Sequence, residues 1–82
     1  MSEKRKMAVC AAAREIGISE GDMLNVYVTY QTGLYEVTFA TEWMTYDMFI
    51  DENTMEVLGI DYRPIPINSL LAQLPEAVQD VS

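Results

Sequence analysis

Apolar residues near the start of the chain repeat with helical spacing. Val9, Ala12, Ala13 and Ile16 fall at i, i+3, i+4 and i+7, and Met7, Cys10 and Ala11 widen that stripe. Ser2 stands where an N-cap belongs, and Gly17 where a helix often ends in a left-handed residue. The spacing predicts a helix over 3–16, and its small side chains would let it lie close on a sheet. The segment ISEGD, Ile18 to Asp22, has turn chemistry. Ser19 and Asp22 match a capping box, but no long apolar periodicity follows, so the segment is predicted as a loop.

From residue 23 the period changes to two. Leu24, Val26, Val28 and Tyr30 share one parity, then Tyr35, Val37 and Phe39, then Met44, Tyr46, Met48 and Ile50, then Leu58, Ile60 and Tyr62. Alternation of this kind marks half-buried strands, here over about 23–30, 33–40, 43–50 and 56–62. Short connections make them an antiparallel meander with one face on the helix. Gly33 in YQTGLY is available for positive φ, ATEW supplies a tighter turn, and Asp51 can bond backbone N–H groups two residues on. In the tail, 63–82, RPIPIN carries prolines at alternate positions. They force an extended strip that cannot be a central strand. Asn68 or Ser69 can cap a short helix through LLAQL, which Pro75 ends, leaving a last turn at PEAVQD. Leu70, Leu71, Leu74 and Val78 then need a surface to pack on. The fold class is α+β, a single small domain over 1–82: an N-terminal helix packed on a four-stranded antiparallel β-meander, with an extended and short-helical C-terminal tail.

Size and composition sharpen this. Eighty-two residues, half of them apolar, can bury one thin core with a few kcal/mol of net stability. The net charge is −8 and unevenly spread. Residues 1–14 carry +3, from Lys4, Arg5, Lys6 and Arg14 against Glu3, while residues 15–82 carry −11, with Arg63 their lone base. A body this acidic repels phosphate backbones, which argues against direct nucleic-acid binding. The basic start reads as a solvated helix end. Cys10, the one cysteine, has no intramolecular disulfide partner and reads as a small core residue. The apolar run MAVCAAA is too short for a signal peptide and is interrupted by Arg14 and Glu15, and no segment reaches the length of a membrane span. Two readings of compartment stay open: a cytosolic protein, or the soluble part of a longer exported one.

The residue inventory limits the chemistry. The sequence has no histidine, so no Ser-His or Cys-His nucleophile pair can form, and a zinc site would have only carboxylates and one thiolate. Gly17, Gly21, Gly33 and Gly59 are scattered, so there is no phosphate loop. Asp51, Glu52 and Asn53 with Glu56 nearby lack the glycine and distal glutamate of an EF-hand, and read as a turn with solvated carboxylates. We therefore expect no catalytic residue, no metal and no cofactor. An enzyme acting through Asp, Glu, Tyr or Lys in a cleft is the weakest of the readings.

The aromatic residues are more informative. If Tyr35, Val37 and Phe39 face the helix, then Glu36, Thr38, Asn25, Tyr27, Thr29, Trp43, Thr45, Asp47 and Phe49 share the far face. Rings among polar groups suit an interface. The candidate partner-binding residues are Tyr27, Trp43 and Phe49. The same face could instead be covered by Ile65, Ile67, Leu70 and Leu71 of the tail, or could pair with itself in a homodimer.

LYEVTF followed by YDMFIDENTMEVL resembles the PepSY domain. That family has a helix, a strand carrying Tyr-Glu-Val, a strand ending in Val-Asp, and a turn of the type Asp-x-x-Thr-Gly-Glu-Val. Tyr35-Glu36-Val37, Ile50-Asp51, Thr54 and Glu56-Val57 match it, and the resemblance covers about residues 7–60. Met55 stands where the family usually has glycine. If that position needs positive φ, methionine costs roughly 1 kcal/mol or more; a turn with Asn53 left-handed avoids that. PepSY domains occur in propeptides of thermolysin-like metallopeptidases and in small exported or membrane-anchored bacterial proteins. The resemblance implies a non-catalytic module that binds or restrains a peptidase or envelope protein, with Tyr35, Glu36 and Asp51 structural. The alternatives are an acidic inhibitor that mimics nucleic acid toward a nucleic-acid enzyme, and a structural homodimer.

Overall fold

The structure, a computed structural model, describes residues 2–65. Helix α1 spans Glu3–Ile16, with both ends made as the sequence predicts. Ser2 is extended, and its Oγ accepts from the Arg5 N–H at 3.2 Å. Gly17 has φ 73°, its N–H donates to the Arg14 carbonyl at 3.2 Å, and the Ile18 N–H reaches Ala13 at 3.0 Å. This paired termination is a Schellman motif, which uses up two of the carbonyls that a helix end leaves free. The expected loop at 18–22 contains one 3₁₀ turn, Glu20–Asp22. Ser19 caps no backbone group there; its Oγ donates to Asp22 Oδ2 at 3.0 Å.

Four strands follow: β1 Leu24–Gln31, β2 Leu34–Ala40, β3 Met44–Asp51 and β4 Val57–Pro64. They form one antiparallel sheet in chain order, so β1 and β4 are the edges. The fold is α+β, as expected. Alternate residues of β2 and β3 (Tyr35, Val37, Phe39, Met48 and Ile50) meet Ala8, Val9, Ala12 and Ala13 of α1 in one buried cluster, which Met23 closes. The alanines keep the helix close to the sheet. Val37, Phe39, Met48 and Ile50 are essentially fully buried, each worth roughly 1.5–3 kcal/mol. The helix start is tied to the sheet by polar contacts as well: Arg5 Nη1 donates to the Val28 carbonyl at 2.7 Å, and Lys4 Nζ stands 3.7 Å from Glu52 Oε2.

Two irregularities correct the expected face assignments. The register shifts between Leu24 and Tyr27, where Asn25 has φ 52°. The extra residue reverses parity, so Leu24 sits opposite Ala40, away from the helix and exposed. A second shift on β4 places Val57, not Leu58, opposite Ile50 on the helix side. Leu58 is left 54% exposed.

The turns explain the remaining backbone. Thr32 and Gly33, with φ 44° and 80°, join β1 to β2 in the primed conformation that matches strand twist. Between β2 and β3, the Thr41 N–H donates to the Met44 carbonyl at 2.8 Å and Thr41 Oγ1 accepts from the Met44 N–H at 3.3 Å. This puts Trp43 in the loop, not in the strand as expected. Between β3 and β4, Asp51 Oδ1 accepts from the backbone N–H groups of Asn53 at 2.8 Å and Thr54 at 2.9 Å. The left-handed residue of that turn is Met55, at φ 60°, and not Asn53. Pro64 ends an edge strand, where a missing N–H is tolerated. The expected helix through LLAQL, the last turn at PEAVQD and the covering role of the tail lie outside the described residues.

Candidate interaction surface

The sheet face away from α1 is built in cross-strand rows by the register. Thr29, Glu36, Phe49 and Gly59 form one row; Tyr27, Thr38, Asp47 and Asp61 form the next. Leu24, Ala40, Thr45 and Arg63 form a third. No described element packs over them. Phe49 packs beside Gly59, where an added Cβ would meet Phe49 Cδ2 at 3.6 Å, an ordinary contact. Phe49 and Leu34 line a shallow depression of about 430 Å³ with Glu36, Thr29, Gln31 and Thr32. Glu36 supplies the negative charge at its rim.

Asp47 anchors the middle of the face. Its Oδ1 accepts from Thr38 Oγ1 at 2.7 Å, and its Oδ2 stands 3.4 Å from Arg63 Nη1. The Arg63 side chain is mostly exposed, so the pair contributes at most about 1 kcal/mol. Asp61 lies directly across from Asp47, which keeps this region acidic despite Arg63.

The three expected partner-binding residues are all accessible but do not form one cluster. Tyr27 is 69% exposed on the edge strand. Two strands and one row separate it from Phe49, about 12 Å by strand geometry. Trp43, 66% exposed, sits at the end of the sheet in a separate hollow with Leu24 and Ile18. Leu24 and Leu34 are the residues the sequence reading missed. Leu34 shares parity with Glu36 and was legible on that ground. Leu24 was hidden by the bulge.

Several other polar groups have structural partners. Thr54 and then Asn53, through their N–H groups, hold the Asp51 carboxyl below its ordinary 3.8. Tyr30 Oη donates to Glu52 Oε1 at 2.9 Å and accepts from the Gly33 N–H at 3.0 Å, joining the two hairpin turns. Cys10 is half-buried, 3.5 Å from Arg14 Nη2. Among the described residues no three His, Cys, Asp or Glu side chains gather as a metal site, and no helix is long and apolar enough to cross a membrane. No family model matches the chain, and neither a curated protein nor a solved structure matches it.

Proposed function

We propose that this chain is a non-catalytic, PepSY-like binding module that captures a protein, a peptidase or an envelope protein, on the outer sheet face. The observation that carries the reading is the exposed Tyr27 and the Phe49–Leu34 depression on a face that no described element covers. Apolar rings rimmed by Glu36, Asp47 and Asp61 suit a partner with apolar and basic groups. The position of Met55 supports the family resemblance. It is left-handed at the place where PepSY turns carry glycine, so the turn has the shape that glycine would serve.

The test is crosslinking capture from native lysate and from the cell-envelope fraction, with Tyr27→Ala, Phe49→Ala and Trp43→Ala as comparisons, each checked for intact folding by circular dichroism. A peptidase or envelope protein retained by the parent and lost by folded Phe49→Ala supports the reading. Equal capture by all variants overturns the placement on this face. A nucleic-acid enzyme released by moderate salt would favour the mimic instead.

A further inference from the structure

The two edges of the sheet are finished differently. In an antiparallel ladder, alternate residues point their N–H and C=O groups to opposite sides of the strand. On β1, Val28 and Tyr30 point theirs outward. Arg5 occupies the Val28 carbonyl from α1, and the bulge at Asn25 breaks the strand's line. On β4, the Ile65 N–H donates to the Trp43 carbonyl at 3.0 Å, which fixes the phase. Asp61 and Arg63 therefore turn their backbones toward β3, while Ile60, Tyr62 and Pro64 turn theirs to the edge, where no described strand pairs with them. Pro64 has no N–H to offer; Ile60 and Tyr62 offer both groups. Their side chains are exposed too, at 40% and 62%.

We propose that β4 is the seam of a homodimer. Two copies pair their β4 strands antiparallel, with Tyr62 on the twofold axis, and the two sheets become continuous. The occupant is argued from charge. Centring on Tyr62 sets Asp61 opposite the second copy's Arg63, and Arg63 opposite the second copy's Asp61. These are non-hydrogen-bonded positions, where cross-strand side chains come closest. Ile60 then faces the second copy's Pro64, whose carbonyl takes the Ile60 N–H; the missing proline N–H costs one bond in each of the two symmetry-related Ile60–Pro64 pairs. Moving the axis to Asp61 would place like charges together. The strand carries one acid and one base on a chain of net charge −8, so it is a neutral strip on an otherwise repelling molecule. Asp61 and Arg63 also lie on the outer face proposed for partner capture, but capture is read at Tyr27 and Phe49 and the dimer at the backbone edge of β4, so either proposal can fail without the other.

The experiment is sedimentation velocity on the full chain from low micromolar to near-millimolar concentration. The parent is expected to reach the mass of a dimer. Tyr62→Pro removes an edge N–H that β3 does not use, and is expected to stay monomeric with unchanged circular dichroism. Asp61→Arg and Arg63→Asp each set like charges across the seam and are expected to weaken association about tenfold or more. The swap D61R/R63D restores complementarity, and also restores a base opposite Asp47, so it is expected to dimerise nearly as the parent does. A parent monomeric at every concentration overturns the proposal. So do single charge variants that associate as tightly as the parent, and so does a Tyr62→Pro dimer. A monomeric parent that binds an extended peptide at this edge also overturns it, in favour of a foreign strand.

Discussion

Arg5 reaches from the first turn of α1 to the Val28 carbonyl at 2.7 Å, and its guanidinium carbon lies 5.9 Å from the centre of the Tyr35 ring. One side chain thus ties the helix start to an edge strand and to the core. Removing it leaves a partly buried carbonyl without its charged donor. Arg5→Ala is expected to lower the unfolding free energy by about 2 kcal/mol, summing a charged hydrogen bond and a weak cation–π contact. Urea denaturation measures this. Arg5→Lys should recover less than half, since an ammonium lacks the planar fork.

Thr32 sits at φ 44°, a conformation that β-branched residues rarely adopt. Asparagine tolerates it and is preferred before glycine in this turn type. Thr32→Asn is expected to stabilise the protein by about 0.5–1 kcal/mol, read as a higher urea midpoint at unchanged slope. A loss of stability would show that the Thr32 side chain makes a contact that outweighs its backbone strain.

Asp51 gives the protein a defined acid response. Its folded pKa lies below the ordinary 3.8, because the N–H groups of Thr54 and Asn53 bond the ionised form. The resulting stability is fully present above the unfolded value and is lost as pH falls through the folded one. Asp51→Asn keeps an acceptor oxygen but does not titrate. Its stability between pH 5 and pH 2 should therefore fall less steeply than the parent's, by the slope of denaturant-measured stability against pH. Parallel curves would remove Asp51 from the account.

Phe39 is buried to 1% exposure and stacks on Tyr46 with ring centres 5.1 Å apart. Phe39→Ala is expected to cost about 3–5 kcal/mol. A domain this small has a net stability of that order, so the variant should be largely unfolded at room temperature. Collapse of amide proton dispersion in its NMR spectrum is the readout. Phe39→Leu should fold, at a cost of about 1.5 kcal/mol.

Much of the fold was legible because its signals are local. The small-residue stripe from Val9 to Ile16 and the caps Ser2 and Gly17 define α1 completely, and alternation located each strand to within two residues. Two of the errors in face assignment share one cause. A bulge inserts a residue without altering composition, and every side chain on the far side of it changes face. Leu24 and Leu58 were lost this way. The trace in the sequence is an adjacent apolar pair, Met23-Leu24 and Val57-Leu58, which strict alternation does not allow. At the β3–β4 turn the sequence left two left-handed positions open, Asn53 by residue preference and Met55 by the resemblance, and the backbone takes the second. The candidate surface was legible in its residue types but not in its layout, since distances between Tyr27, Trp43 and Phe49 depend on which strands are neighbours.

Every strand of this sheet pairs only with the one before or after it in the chain. Each ladder can therefore zip from a short connection, with little entropy lost to closing long loops. During synthesis β1, β2 and β3 can assemble while β4 is still inside the ribosome, and the helix made first waits for the platform it will sit on. The last strand to arrive completes the sheet, and its edge is the final one exposed to other chains.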